Sequence, residues 1–155
     1  MRKSWAVAAI LLFAACTRPS KPLDIPDPSK ITHIEATQWT PEGDRGRSGD
    51  YRIDDRKRIE SIIELLRANN TGYRVDRDWA RPFANKSRET YTVWFEESVN
   101  TGAAMSISIG PDWLSGIDRQ ESKPGQTYHR TRPLSGSERE ALLDLIARRP
   151  EDPGR

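Results

Sequence analysis

The spacing of apolar residues predicts two amphipathic helices. In the first, apolar side chains recur at the i, i+3, i+4 and i+7 positions that share one helix face. These residues are Ile59, Ile62, Ile63 and Leu66. The second predicted helix carries an apolar face of the same kind, formed by Ala141, Leu142, Leu145 and Ile146.

Polar residues mark the ends of both predicted helices. Asp54 and Asp55 precede the first, where a carboxylate can accept hydrogen bonds from free backbone amides. The second begins with the capping-box spacing of Ser135 and Glu138. We expect residues 69–72, with two Asn and a Gly, to end the first helix, and Pro150 to end the second.

Alternation of apolar and polar residues between the helices predicts a hairpin. One strand places Tyr91, Val93 and Phe95 on one face, and the next places Met105, Ile107 and Ile109 on one face. The intervening residues 99–102 contain the Asn and Gly of a turn. The remaining strand patterns form an earlier hairpin and two weaker strands, namely 31–39 with 51–53 around the polar loop 41–50, and 73–75 and 127–131.

The order of these elements is strands, helix, strands, helix. This order predicts an α+β domain. We expect one antiparallel sheet of about four to six strands, with two helices packed on one face.

The N-terminus has the pattern of an export signal. Arg2 and Lys3 precede the apolar run 6–15, which is too short to span a bilayer. The run ends in Phe13-Ala14-Ala15-Cys16, which resembles the lipobox of bacterial lipoproteins, with Phe13 where that family has Leu. The resemblance implies cleavage before Cys16 and acylation of that Cys with a diacylglyceryl group. In the alternative, the protein is secreted without an anchor.

The predicted organisation follows from this signal. Residues 1–15 form a lipoprotein signal peptide, and residues 16–30 form the lipidated Cys and a Pro-rich tether reaching roughly 40 Å. Residues 31–149 form a single α+β domain, and residues 150–155 form a flexible tail. Thr17 follows the Cys; by the enterobacterial sorting rule this residue directs the protein to the periplasmic side of the outer membrane.

Charge and cysteine content exclude several classes of protein. The chain has 25 Lys and Arg against 23 Asp and Glu, and removal of residues 1–15 leaves 23 of each sign. Bulk charge therefore gives no reason to expect nucleic acid as a partner. The single Cys excludes a disulfide scaffold.

Strand parity singles out a candidate binding surface. Trp94 points away from Tyr91, Val93 and Phe95, towards the same face as Thr92 and, across the hairpin, Ser106 and Ser108. A flat polar surface around an indole suits sugars or apolar side chains. In the alternative, a loop folds over this face and Trp94 belongs to the core.

The segment 73–88 is a second candidate, because cations alternate with aromatic residues at Arg77, Trp79 and Arg81. Outside the cytoplasm the matching anions are lipopolysaccharide, phospholipid and peptidoglycan. The alternative is a solvated loop with local Asp–Arg pairs.

No catalytic, cofactor or metal motif is recognisable. The two histidines, His33 and His129, have no further ligand at helical spacing, so we expect no metal and no cofactor. Glu96 and Glu97 are adjacent strand residues that point to opposite faces and cannot act as an acid–base pair.

These observations predict a lipid-anchored envelope protein of the periplasm that binds a protein or an envelope polymer such as peptidoglycan or lipopolysaccharide, without catalysis. The first alternative is a periplasmic inhibitor of a secreted or host enzyme of the lysozyme type, which would insert a protruding loop, 76–88 or 110–126. The second is a hydrolase without a recognisable motif, built on a carboxylate–His arrangement around His33 or His129.

Overall fold

The computed structural model describes residues 21–40, 47–76, 89–97, 103–123 and 126–147. Within these ranges the chain forms a 3₁₀ turn at Pro28–Lys30, seven strands and two helices. The strands are β1 His33–Trp39, β2 Arg47–Ile53, β3 Arg74–Asp76, β4 Thr90–Glu96, β5 Ala103–Ile109, β6 Trp113–Lys123 and β7 Gln126–Pro133. The helices are α1 Arg56–Ala68 and α2 Gly136–Ala147, and neither is long and apolar enough to cross a membrane.

The strands form one sheet in the order β2-β1-β4-β5-β6-β7-β3, and every neighbouring pair is antiparallel. The predicted α+β class is confirmed, but seven strands exceed the predicted four to six. The additional strand is β6, which occupies most of the predicted loop 110–126. That prediction was wrong because β6 is a mainly polar strand, held by pairing with β5 and β7 rather than by an apolar face of its own.

Helix α1 matches the sequence prediction closely. The Asp55 side chain accepts a hydrogen bond from the Arg58 amide at 2.8 Å, which satisfies one free donor at the helix start. The predicted apolar face is buried, with Ile59, Ile62, Ile63 and Leu66 all in the core. The helix ends at Asn69, and Gly72 then adopts a left-handed φ of 76°, which suits a residue without a Cβ.

Helix α2 matches the prediction in part. Ser135 Oγ accepts from the Glu138 amide at 3.2 Å, but the Glu138 side chain pairs with Arg132 and so completes only half of the capping box. The buried face is narrower than predicted, because Ala141 is exposed and Leu145 is only partly buried. The residues after 147, including Pro150 and the predicted tail, lie outside the described residues.

Both helices pack on one face of the sheet, here called the helix-side face. The strand residues predicted to face the helices are buried with α1 and α2 in a single core, from Phe95 at 0% exposure to Met105 at 6%. The two helices are also joined directly, since the Arg58 guanidinium donates to the carbonyls of Leu145 and Ile146 at the end of α2. The opposite face carries no described helix and is called the open face below.

The chain before β1 packs on the domain, in contrast to the predicted tether 16–30. Leu23 is buried in the core, and its N–H and C=O both bond to the Asn70 side chain, at 2.9 and 2.8 Å. A Cβ on Gly116 would lie 2.7 Å from the Leu23 side chain, so the methyl groups of Leu23 occupy space that a glycine leaves on β6. The prediction that the folded unit begins at residue 31 was therefore wrong for residues 21–30. Residues 1–20 lie outside the described residues.

Candidate functional site

The sheet brings the four predicted surface residues together on the open face. Trp94 on β4 lies directly opposite Ser106 on β5, and Thr92 lies directly opposite Ser108. All four side chains are half-buried rather than enclosed. Strand parity therefore predicted their common face, and the antiparallel register makes them direct cross-strand neighbours.

The open face also carries a continuous row of hydroxyl side chains, here called the hydroxyl row. Successive cross-strand pairs join one Thr or Ser from each of five neighbouring strands, namely Thr37, Thr92, Ser108, Ser115 and Thr131. Asp50 pairs with one end of the row and Arg74 with the other. With neighbouring strands about 4.8 Å apart, the row is about 19 Å long. Thr92, Ser108 and Thr131 are partly exposed, whereas Thr37 and Ser115 are buried.

Hydrogen bonding differs between the ends and the centre of the hydroxyl row. At one end Thr37 donates to Asp50 at 2.9 Å, and at the other Thr131 donates to Ser115 at 3.0 Å. In the centre, the Thr92 and Ser108 hydroxyls make no hydrogen bond to any other described residue. Each hydroxyl offers one donor and two acceptor sites, so the centre of the row has free hydrogen-bonding capacity.

Indole rings lie on both sides of the hydroxyl row. Trp94 occupies the neighbouring row on one side. On the other side, Trp39 is 40% exposed and pairs with Thr90. Trp113, two residues before Ser115 on β6, packs over Gly110, where a Cβ would lie 2.1 Å from the indole. The resulting surface combines indole rings with polar groups, which include the half-exposed Glu35 directly opposite Trp94 on β1.

Three residues of the hydroxyl row were absent from the sequence prediction. The alternation in β1 indicates the orientation of Thr37, but only the strand order places it beside Thr92. Ser115 lies in the stretch 110–126 that was predicted as a loop. Thr131 lies on the predicted strand 127–131, but the sequence did not indicate which strands lie beside it. The second predicted site, with Arg77, Trp79 and Arg81, lies outside the described residues.

The arrangement around His33 bears on the hydrolase alternative. His33 Nε2 lies 3.4 Å from Glu35 Oε1, and its Nδ1 lies 3.1 Å from the Thr32 hydroxyl. That hydroxyl donates to the Glu96 carbonyl at 3.0 Å, so its oxygen accepts from His33 and its proton is not available to a base. The Glu35 side chain is about half exposed and also contacts Arg52. The described geometry thus resembles a nucleophile triad only in composition.

A polar cluster that the sequence did not indicate lies on the helix-side face. Glu89 Oε1 accepts hydrogen bonds from Gln38 and, at 2.7 Å, from the Tyr91 hydroxyl, while Arg139 lies 3.5 Å from Oε2. Tyr51 donates to Gln38 Oε1 at 2.8 Å. Burial and the bond to Glu89 raise the pKa of Tyr91 well above its usual range. Both carboxylate oxygens have partners, so the cluster ties β1, β2, β4 and α2 together.

The helix-side face also buries an ion pair. Arg132 is 5% exposed, donates to Glu138 Oε2 at 2.9 Å and bonds to the second carboxylate oxygen as well. Its guanidinium carbon lies 5.5 Å from the centre of the buried Tyr73 ring. Removing either partner of such a buried pair strongly destabilises the fold, because the remaining charge would have no partner.

Among the described residues, no group of three or more His, Cys, Asp or Glu side chains is placed to hold a metal ion. The two histidines lie on strands separated by β4, β5 and β6 in the sheet order. No family model, curated protein or solved structure matches the chain. The fold and the open face therefore define it at the level of a class: a small α+β domain in which the described helices cover one side of an antiparallel sheet.

Proposed function

We propose that this protein is a lipid-anchored, non-enzymatic binding module of the bacterial envelope, located on the periplasmic side of the outer membrane. Its ligand, in this proposal, is a polyhydroxylated envelope polymer of the kind found in the glycan strands of peptidoglycan. The contact surface is the open face around Trp94, Thr92, Ser106 and Ser108.

One observation carries the choice of ligand, namely the neutral hydroxyl row between indole rings. Sugar hydroxyls both donate and accept hydrogen bonds, as do the free Thr92 and Ser108 hydroxyls at the centre of the row. The less polar faces of sugar rings stack on aromatic rings such as Trp94. The partly exposed hydroxyls of the row, Thr92, Ser108 and Thr131, are spread over β4, β5 and β7, so the surface matches an extended polymer better than a single small molecule.

Cosedimentation with purified peptidoglycan sacculi tests the binding function. The protein is used without residues 1–15 and with Cys16→Ser, so that it stays soluble in the absence of an acyl chain. We expect this soluble protein, with its open face unchanged, to sediment with the sacculi. Thr92→Arg should weaken binding by at least about tenfold, or 1.4 kcal/mol, because it inserts a large cation into the centre of the row.

The matched control is Ser61→Arg, which adds the same side chain at an exposed position of α1 on the helix side of the sheet. Trp94→Ala supplies a second variant, which removes the ring and adds no charge. If Thr92→Arg, Trp94→Ala and Ser61→Arg all bind as the wild-type surface does, the open face is not the contact surface. Sedimentation of none of the proteins would contradict the glycan ligand.

The anchor is tested separately in cells. We expect the wild-type protein to incorporate labelled fatty acid and to fractionate with membranes, because each buried methylene of an acyl chain contributes about 0.8 kcal/mol. Cys16→Ser should lose both properties. An unchanged membrane fraction and unchanged acyl labelling in Cys16→Ser would contradict acylation at this residue.

A further inference from the structure

The chain enters the domain at a fixed point on the helix-side face. The Lys21 carbonyl accepts a hydrogen bond from the Arg130 guanidinium at 3.2 Å. Two residues later, Leu23 is buried against Gly116 and is held through both of its backbone polar groups by Asn70. Arg130 and Gly116 are paired neighbours on β7 and β6, so these contacts hold the entry point beside the β3 end of the sheet.

This fixed entry point shortens the connection to Cys16. Lys21 lies only five residues after Cys16, and an extended chain spans at most about 3.6 Å per residue. The carbonyl of Lys21 can therefore lie no more than about 18 Å from the acylated residue. A free tether extending to residue 30 would reach more than twice as far.

The surface beside the entry point suits the headgroup layer of a membrane. Val75 on β3 pairs with Arg130 and is 47% exposed, which is more than any other large hydrophobic side chain among the described residues. Two exposed cations lie near it: Arg74 precedes it on β3 with its side chain on the open face, and the carbonyl of Lys21 bonds to Arg130, the β7 partner of Val75. Exposed apolar side chains and nearby cations both favour contact with a phospholipid surface, through buried apolar area and attraction to anionic headgroups.

We propose that the acylated protein rests with its β3 edge, around Val75, against the phospholipid headgroups, and that the open face is left uncovered by the bilayer. The placement rests on the proposed acylation of Cys16. Residues 21–23 approach the sheet from the helix side, whereas the hydroxyl row lies on the open face. The membrane thus holds the domain at a short distance without blocking its binding surface.

The test measures contact of single residues with lipid. Acylation consumes the thiol of Cys16, so an introduced cysteine is the only free thiol of the mature chain. Val75→Cys and the control Trp39→Cys are labelled with the same fluorophore in the acylated protein, reconstituted in vesicles of phosphatidylethanolamine and phosphatidylglycerol. Trp39 is a matched control because it is similarly exposed and lies on β1, four strands away from β7 and five from β3 in the sheet order.

Vesicles that contain headgroup-quencher lipids should quench the label at position 75 several-fold more than the label at position 39. Equal quenching at both positions, in protein whose mass shows the acyl chains, would overturn the placement while leaving the anchor intact. A mass without acyl chains would overturn the proposed anchor, and this placement with it. The two failures are thus distinguished by mass spectrometry.

A lengthened connection tests the role of the short chain directly. A flexible Gly/Ser insertion of about ten residues between residues 20 and 21 releases the domain from the bilayer without altering its surface. We expect quenching at position 75 to fall towards the level at position 39. Unchanged quenching after the insertion would overturn the claim that the short connection holds the β3 edge at the membrane.

Discussion

Two neighbouring aromatic residues of β4 show how differently the two faces of the sheet are used. Phe95 faces the helices and is completely buried, whereas Trp94 faces the other way and is half-buried. Both belong to the same strand and are paired in the same register with β5. The difference arises from what covers each face and not from local structure.

Polar groups on the two faces differ in the same way. On the helix-side face Arg132 is buried and paired with Glu138, and Glu89 is satisfied by three donors. On the open face the Thr92 and Ser108 hydroxyls have no partner among the described residues. Packing thus supplies stability on one face, while the other keeps unused hydrogen-bonding capacity at Thr92 and Ser108.

The largest contrast is expected between Phe95→Ala and Trp94→Ala. Removing Phe95 leaves a cavity in the core and should lower the free energy of unfolding by about 3–5 kcal/mol. Removing Trp94 should cost about 1–2 kcal/mol, since only part of its surface is buried. Urea unfolding followed by circular dichroism measures both. Equal losses would mean that Trp94 is a core residue and that the two faces do not differ as proposed.

The ion pairs of the two faces sharpen the comparison. Glu138→Gln removes the charge that balances the buried Arg132, and should lower the free energy of unfolding by about 3 kcal/mol. The control is Arg52→Gln, which breaks the exposed pair with Glu35 and should cost less than about 1 kcal/mol. Similar losses in urea unfolding for the two variants would contradict the assigned difference in burial.

A smaller effect is expected where β6 contacts Leu23. Gly116→Ala introduces a Cβ into the space that Leu23 occupies and should cost about 1–3 kcal/mol. The neighbouring Ile117 is 38% exposed on the open face, and Ile117→Ala should cost less than about 1 kcal/mol. In a Leu23→Ala background the added cost of Gly116→Ala should fall, as a double-mutant cycle would show. A cost independent of Leu23 would contradict the contact.

Tyr91→Phe should have the smallest effect on the free energy of unfolding at neutral pH. A difference from the wild-type protein should appear in alkaline solution. The folded state raises the pKa of Tyr91 above the ordinary value of 10.0, so the folded chain holds this proton more tightly than the unfolded chain. The protonated Tyr91 hydroxyl therefore contributes to the free energy of unfolding below pH 10, and this contribution is lost as the pH rises further. Unfolding curves at pH 8 and pH 11 should show a smaller alkaline loss in Tyr91→Phe. An identical loss in both proteins would contradict this account.

Local periodicity accounts for the elements that were predicted well. The α1 stripe and the alternation of β4 and β5 each place apolar residues on one face, and the same residues form the core. Strand β6 has no such pattern, because it contributes few apolar side chains. It is held in the sheet by pairing with β5 and β7. The Pro-rich segment 21–30 was also misjudged, since its packing depends on the isolated residue Leu23.

The amino-acid sequence by itself determined the two helices, the central hairpin and the face on which Trp94 lies, because these follow from the 3.6-residue and two-residue periods of the backbone. Only the tertiary structure decided the hydroxyl row, the burial of Arg132 and the docking of Leu23 against Gly116. These features join residues that are distant in the chain, and their contacts depend on strand order and register. Strand order is not encoded in any local pattern of residues, and the apolar pattern specifies register only together with the geometry of the turns.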